Sequence, residues 1–287
     1  MTDITVVMAT YRQRKYIREA YESIDKQSVE KNLKIVGIVG DRKSGIKELS
    51  IPQNRVQNYP ADKMPNMWEQ RQLGLIATDT PYISFFDSDD VMLPGWLEKG
   101  LKVAMEIVSR GKIPIVGPSY RMVDEKLRPL GSTKPVITVP TKNGWPDMDI
   151  IPFGIGKSYA ILPKALTHYP SDVILPEFSM DRMMEGSIIP DFSITKTENL
   201  RMAFEAGCKV ARELFTPQYS MYCSWLELLK RFDCEVKLLP DIGFLYRQHR
   251  GGMHNRFKSS KRASRRNVEM VKKVAQFYYP EGGRKNG

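Results

Sequence analysis

Runs of apolar, β-branched residues alternate with amphipathic helical stretches along the first part of the chain. Ile4–Ala9 is one such run, and apolar residues recur at helical spacing between Ile17 and Ile24. A second apolar run, Leu33–Val39, completes a β-α-β unit. Strands that are apolar along their whole length are typical of a parallel sheet covered by helices on both faces.

The alternation continues to about residue 120 and predicts an α/β protein with a Rossmann-like, mostly parallel central sheet flanked by helices. Beyond that point proline and glycine interrupt the pattern more often. Further strands are predicted at Asn54–Tyr59, Tyr82–Phe86, Ile113–Gly117, Tyr159–Leu162 and Gly243–Tyr246, and helices at Asn66–Ala77, from Pro94 to Gly111, at Glu198–Phe215, Ser224–Phe232 and Ser259–Tyr278.

The bulk properties favour one main domain in a chain of 287 residues. No stretch approaches the roughly 20 apolar residues of a membrane-spanning helix. The sequence starts directly with a strand pattern, without a secretory leader. The three cysteines, Cys208, Cys223 and Cys234, have no CxxC spacing, so neither a disulfide framework nor a zinc site is indicated. We therefore expect a soluble protein in the reducing cytoplasm.

The positive charge is concentrated at the C-terminal end. The formal net charge is +11, and the segment from Arg247 onward holds twelve basic residues and two acidic ones. Three interpretations of this basic segment stay open: a solvated end, an amphipathic surface for anionic membranes, or a contact to a nucleic-acid backbone. A peripheral location on a membrane or on nucleic acid is therefore an alternative to a freely cytoplasmic one.

Polar residues follow three of the predicted strands directly. Thr10 and Tyr11 follow the first strand, Asp41 follows the second, and the acidic sequence DSDD begins at Asp87 after the strand that ends at Phe86. In open α/β sheets, ligands bind beyond the carboxyl ends of the strands. These positions are therefore the first candidates for a binding site.

The acidic cluster is the most informative of them. Asp87, Asp89 and Asp90 place three carboxylates within four residues, and like charges this close are costly unless a cation compensates them. Oxygen ligands suit Mg²⁺ or Mn²⁺, which can in turn bridge a diphosphate. The alternative is a solvated turn that caps the helix beginning near Pro94, and the spacing alone does not choose between the two.

Several motifs together resemble glycosyltransferase family 2, whose members have the GT-A fold. The opening ITVVMATYRQRKYIREAYESIDKQS resembles the first strand, turn and helix of the family. NMWEQRQLGL resembles its ARNxG stretch, and FFDSDDVMLPGWLEKGL resembles the strand, DxD motif and helix start that follow. The likeness covers most of the first 100 residues.

The resemblance implies roles for individual residues. Asp89 would ligate the metal, Asp90 would be an accessory catalytic acid, and Asp41 would contact the nucleotide base, although the family usually has two acidic residues there. The other donor-binding residues implied in this half are Thr10, Tyr11, Arg71, Asp87 and Ser88.

Near the C-terminal end, the sequence YRQH resembles a YRxH motif of the same family. By that resemblance His249 is a further metal ligand, and Arg247 or Arg250 neutralises the departing diphosphate. His254 is a weaker candidate, supported by proximity alone.

One part of the family pattern is missing. Inverting members carry a Glu-Asp pair before the YRxH motif, whose aspartate is the general base, but Cys223 and Ser224 occupy those places here. Asp181 is the leading substitute, because its sequence context resembles the missing motif, and Asp191 and Glu185 follow. A retaining mechanism, in which the leaving phosphate assists, would need no protein base and stays open.

The resulting prediction is a metal-dependent transferase that moves a sugar from a nucleoside diphosphate donor, UDP-sugar being favoured, to a hydroxyl acceptor, with Mn²⁺ or Mg²⁺ as cofactor. Residues 1–120 would form the donor half, 121–250 the acceptor half and 251–287 a basic, helical C-terminal segment. One alternative is an enzyme that glycosylates a hydroxymethylated base of viral DNA. Others are a nucleotidyltransferase, disfavoured because no glycine-rich phosphate loop follows the first strand, and an inactive module that binds polyanions.

Overall fold

A computed structural model describes twelve segments of the chain, and every structural statement below concerns these. They are residues 4–10, 15–27, 33–39, 56–60, 67–130, 148–152, 159–163, 173–174, 192–214, 220–249, 273–274 and 277–278.

Strands and helices alternate through the first part of the chain, as the sequence predicts. The elements up to residue 123 are β1 (Ile4–Thr10), α1 (Ile17–Asp25), β2 (Leu33–Val39), β3 (Val56–Pro60), α2 (Met67–Ala77), β4 (Tyr82–Asp87), β5 (Val91–Met92), α3 (Trp96–Ser109) and β6 (Ile113–Val123).

The later elements include two helices that follow one another directly. They are β7 (Met148–Pro152), β8 (Tyr159–Pro163), β9 (Val173–Ile174), β10 (Ile194–Lys196), α4 (Thr197–Glu213), α5 (Ser220–Arg231) and β11 (Cys234–Arg247).

One sheet contains all the strands in the described residues. Its main order is β3-β2-β1-β4-β10-β6-β11-β8-β7, while β5 pairs with β11 and β9 with β6. The pairs among β3, β2, β1 and β4 and among β6, β11 and β8 are parallel. Only short β10 runs antiparallel between these two parallel groups. The predicted α/β fold with a mostly parallel sheet is therefore confirmed.

The two faces of the sheet bury two separate apolar clusters. In β1, Val6 and Met8 pack with residues of α1 and α3, whereas Val7 packs with residues of α2, α4 and α5. Successive side chains of a strand point to opposite faces, so a strand covered on both sides needs apolar residues at every position. This explains why every residue of β1 is buried and why all of them except Thr5 and Thr10 are apolar.

The last strand is longer than the sequence predicts. The prediction at Gly243–Tyr246 covers only the end of β11, which begins at Cys234 and runs parallel to β6. Glu235 interrupts the apolar pattern in the first part of the strand, so the sequence does not predict that part. Its buried carboxylate lies 2.8 Å from Arg110 Nη2, which supplies the compensating charge.

Two helix starts also differ from the prediction. Helix α5 begins at Ser220, four residues before Ser224, and the Ser224 hydroxyl donates a hydrogen bond to the Ser220 carbonyl. Helix α3 begins at Trp96, after a glycine at φ 77°, and not at Pro94.

The basic C-terminal segment is described at residues 273–274 and 277–278, which are helical. Val274 is fully buried in the cluster under α4 and α5, and the Tyr278 hydroxyl donates to Glu227 Oε1 over 2.9 Å. The rest of the helix predicted at Ser259–Tyr278 lies outside the described residues. None of the helices in the described ranges combines the length and apolarity that crossing a membrane requires.

Gly207 of α4 lies against the backbone of α5 at Ser224. A Cβ atom at this position would lie 2.4 Å from the Ser224 backbone nitrogen and 2.6 Å from its Cα. Contacts this short with backbone atoms force one helix away from the other. Gly207 is therefore required by packing, since alanine would otherwise be the better helix former.

We predict that Gly207→Ala destabilises the chain, although a glycine-to-alanine change inside a helix normally stabilises it by about 1 kcal/mol. Overpacking against backbone should cost about 1–3 kcal/mol. Denaturant unfolding of the variant, with Glu205→Ala on the exposed face of α4 as control, measures the effect. An increase in the free energy of unfolding would contradict the close contact.

Candidate functional site

The candidate site lies where three strands end. β1 ends at Thr10, which is fully buried, and the neighbouring β4 ends at Asp87, in register with Ala9. β11 ends at Arg247, and His249 follows it. The carboxyl ends of strands that run the same way meet at one edge of the sheet, so the topology brings residues 87–90 and 247–249 together.

The acidic cluster forms a compact set of oxygen ligands. Asp87, Asp89 and Asp90 each offer one carboxylate oxygen, and these oxygens lie within 4.8 Å of one another. Asp87 and Asp89 are partly exposed, whereas Asp90 is 1% exposed. Three oxygens gathered at a partly open position fit a hard divalent cation such as Mg²⁺ or Mn²⁺.

Asp90 has the strongest electrostatic need for a cation. Its Oδ1 accepts a hydrogen bond of 2.8 Å from the Arg247 backbone N–H, while its buried Oδ2 has no hydrogen-bond partner among the described residues. Burial raises the pKa of Asp90 well above its usual value, and the neighbouring charges of Asp89 and Asp87 raise it further. A proton or a bound cation relieves this cost.

The cluster does not cap the following helix. The N-cap of α3 is Gly95, without a side-chain cap. The Leu97 N–H donates instead to Gln27 Oε1 at 3.2 Å, and Gln27 Nε2 donates to the Leu93 carbonyl at 2.9 Å. A side chain from the end of α1 thus fixes the start of α3, and the capping interpretation of the DSDD sequence is not supported.

Arg71 supplies a fixed positive charge to the cluster. It is 1% exposed on α2, and its Nη2 lies 2.9 Å from Asp87 Oδ1. A buried guanidinium paired in this way both orients the carboxylate and offsets part of its charge. The motif that contains Arg71 therefore contacts the acidic cluster, and the donor-binding role of Arg71 stays a prediction.

His249 lies beside the cluster although 160 positions separate it from Asp89 along the sequence. Its Nε2 is 2.8 Å from Asp89 Oδ2, and its ring packs against Tyr16 with the ring centroids 4.9 Å apart. The Gln248 N–H donates to the Val123 carbonyl at 2.8 Å, which extends the pairing of the strand end. The imidazole is thus held next to the three carboxylates.

Arg247 has partners within the protein. Its side chain is 3% exposed and pairs with Glu19 Oε2, and its guanidinium carbon lies 4.5 Å from the centroid of the Tyr16 ring. Its Nη1 donates to the Glu125 carbonyl at 3.4 Å. A contact between Arg247 and a departing diphosphate stays a prediction.

The structure describes only part of the predicted donor and acceptor sites. Ser88 is described and is 2% exposed within the acidic turn. The other predicted residues, with their proposed roles unchanged, lie outside the described residues: Tyr11, Asp41, Asp181, Glu185, Asp191, Arg250 and His254.

The places of the missing Glu-Asp pair are buried in α5. Cys223 and Ser224 are both 0% exposed. Burial, followed by the nearby charges of Glu227 and Cys208, raises the pKa of the Cys223 thiol to about 12. Glu227, the one carboxylate in the α5 sequence, is itself buried and paired with Arg231 at 2.8 Å. Hence α5 presents no carboxylate suited to the role of general base.

The sequence reasoning did not identify Tyr16, Glu19 and Glu125 as neighbours of the site. Lys15 Nζ lies 2.6 Å from Glu125 Oε2. The Tyr16 ring packs against the His249 ring and against the guanidinium of Arg247. A glutamate in the first turn of a helix, such as Glu19 in α1, is common because it interacts favourably with the helix dipole. Its pairing with Arg247, 228 positions away, leaves no signal in the local pattern.

Comparison with protein families matches residues 5–135 to Glycosyl transferase family 2. This confirms the resemblance noted in the sequence over that segment. A comparison with curated protein sequences gave no significant match.

Comparison with solved structures identifies TarS of S. aureus as a structural neighbour. TarS 1–349 in complex with UDP-GlcNAc has a TM-score of 0.56 and 14% identity, over 96% of this chain and 66% of that one. The UDP complex gives 0.53 and 13%, over 96% and 65%. The chain thus spans slightly less than two thirds of these neighbours, and the likeness confirms the GT-A fold. The likeness to TarS does not confirm the predicted basic, helical C-terminal segment.

We predict that Cys223 resists alkylation in the folded chain. A thiol with a pKa of about 12 is almost entirely protonated near neutral pH, and only the thiolate reacts. Iodoacetamide followed by mass spectrometry should modify half-buried Cys208 first and Cys223 only after denaturation in guanidinium chloride. Equal labelling of both thiols in the native chain would show that the α5 site is open.

Proposed function

We propose that this chain, with a GT-A fold and a family 2 match over residues 5–135, is a nucleotide-sugar glycosyltransferase that requires a divalent cation. The observation that carries the proposal is the set of three carboxylate oxygens within 4.8 Å at the end of β4, with His249 beside it. The N-cap of α3 is Gly95, so capping of that helix does not account for this arrangement.

Asp87, Asp89 and Asp90 are the residues that would hold the cation, with His249 as a further ligand once it exchanges its contact with Asp89. When bound, Mn²⁺ or Mg²⁺ would stabilise the negative charge that develops on the departing diphosphate. Arg71 fixes Asp87 in place and would keep a positive charge close to the donor phosphates.

The donor is proposed to be a UDP-sugar. The support is the likeness of fold to TarS, which is described in complexes with UDP-GlcNAc and with UDP. Thr10 at the end of β1 would line the donor site together with Ser88. Asp41 would contact the base, while Tyr11 and Arg250 would complete the donor site.

In the transfer step, an acceptor hydroxyl oxygen forms a bond to the anomeric carbon while the bond from that carbon to the diphosphate oxygen breaks. The electron pair leaves with the nucleoside diphosphate, and the acceptor proton passes to a base. Since α5 offers no suitable carboxylate, Asp181 is the proposed base. In a retaining route the leaving phosphate itself accepts the proton.

The acceptor is proposed to carry a hydroxyl group, and its class stays open. The nucleic-acid and membrane contacts predicted from the basic segment depend mostly on residues outside the described part, as does the alternative of a hydroxymethylated DNA base. Asp90, which accepts a hydrogen bond from the backbone of β11, is proposed to help hold the cation, and its role as an accessory acid stays a prediction.

We predict that Asp89→Asn lowers Mn²⁺-dependent turnover of the donor by about 100-fold or more, because even outer-sphere changes at metal sites cost 10–100-fold. Hydrolysis across a panel of nucleotide sugars that includes UDP-GlcNAc, with and without EDTA, measures this. Wild-type hydrolysis should stop with EDTA and return with Mn²⁺.

The matched control is Asp241→Asn, which removes an exposed carboxylate paired with Lys99 far along β11 from the cluster. It should keep wild-type turnover. Full metal-dependent turnover in Asp89→Asn would refute the assignment of the acidic cluster, and absence of turnover for every donor in the wild type would favour the inactive, polyanion-binding alternative.

A further inference from the structure

We propose that Glu19 and Arg247 form a positioning pair that sets the geometry of the cation site through the backbone of β11. The inference rests on the proposed function, since it concerns the same acidic cluster. Neither side chain needs to touch the donor: both act through Asp90 and His249.

Arg247 contacts Asp90 through its backbone. The Arg247 backbone N–H donates to Asp90 Oδ1 over 2.8 Å, and Asp90 is almost completely buried. Since Oδ2 of Asp90 has no hydrogen-bond partner in the described structure, this N–H is the hydrogen bond that fixes how the carboxylate is turned. A shift of the strand end would therefore rotate a proposed metal ligand.

The side chain of Arg247 holds the end of β11 in place. Three neighbours surround the Arg247 guanidinium: the carboxylate of Glu19, the ring of Tyr16 at 4.5 Å and the carbonyl of Glu125 at 3.4 Å. Glu19 provides the one carboxylate among these contacts. Without its carboxylate partner, the guanidinium is no longer held in this position and turns toward water, where its charge is solvated.

His249 lies two residues beyond Arg247 and shares the neighbour Tyr16 with it. Its ring packs on the same Tyr16 ring that lies against the guanidinium, and its Nε2 contacts Asp89. A displaced Arg247 would thus disturb Tyr16 and, through it, the imidazole. One ion pair between α1 and β11 therefore orients two of the proposed ligands.

A purely structural role for this ion pair gives a different expectation. The Glu19 side chain is 47% exposed, and Arg247, although 3% exposed, can turn toward water once it is released, so the loss of Glu19 should change the overall stability little. Its effect on the cation site should nevertheless be large, because partners that orient metal ligands typically contribute 10–100-fold to metal affinity. Metal affinity and thermal stability consequently separate the two roles.

The test measures Mn²⁺ binding to the full chain by electron paramagnetic resonance, without nucleotide, for Glu19→Ala and Glu19→Gln. We expect about 10-fold weaker binding in Glu19→Ala, at an almost unchanged melting temperature. Glu19→Gln should lie between it and the wild type, because the amide oxygen still accepts a hydrogen bond from Arg247. The Mn²⁺ concentration that half-activates donor hydrolysis should shift in the same order.

Glu22→Gln, one turn further along α1, is the matched control, since Glu22 is exposed and pairs only loosely with Lys26 at 3.8 Å. It should bind Mn²⁺ like the wild type. If the wild type binds Mn²⁺, Asp89→Asn does not, and both Glu19 variants bind as the wild type does, the positioning role is wrong while the proposed function stands. A wild type that binds no Mn²⁺ would overturn both.

Discussion

The mutual repulsion of Asp87, Asp89 and Asp90 is the constraint to which the surrounding structure responds. One of these carboxylates is buried and keeps an oxygen without a hydrogen-bond partner in the described structure, so the cluster is costly as it stands. Arg71 compensates Asp87 from α2, His249 contacts Asp89, and the backbone of β11 binds Asp90. Helices and strands from both ends of the chain thus converge on four residues. This clustering of costly charges is expected at a site that a cation and a diphosphate complete.

The sheet makes this convergence possible. β1 and β4 are parallel neighbours that end at the same edge, and β11 runs parallel to β6 over its whole length before its end reaches the cluster. Because β5 pairs with β11 directly after the acidic turn, the turn is also joined to the end of that strand. The ion pair between Glu19 and Arg247 then links α1 to the same place. The positions of the proposed ligands are therefore set by strands and helices that are far apart in the sequence, and not by one local loop.

Much of this could be predicted from the sequence, but only where a local pattern carries the information. The mostly apolar sequence of β1 predicts a buried parallel sheet, and the acidic turn after β4 predicts a ligand site at its edge. The start of β11 was missed because Glu235 interrupts its apolar pattern, and its neutralising Arg110 comes from a distant helix. For the same reason the sequence suggested a phosphate for Arg247 but could not reveal Glu19 as its partner. Cys223 marked the loss of the usual base, whereas only the structure shows that its position is buried.

We propose that the carboxylates at the end of β4 bind a divalent cation together with a nucleotide. Anomalous diffraction at the manganese absorption edge, from crystals grown with Mn²⁺ and UDP, tests this. One strong anomalous peak is expected within coordinating distance of Asp89, with diphosphate oxygens on its open side. Nucleotide bound at this edge of the sheet without an anomalous peak, or a peak remote from the three aspartates, would contradict it.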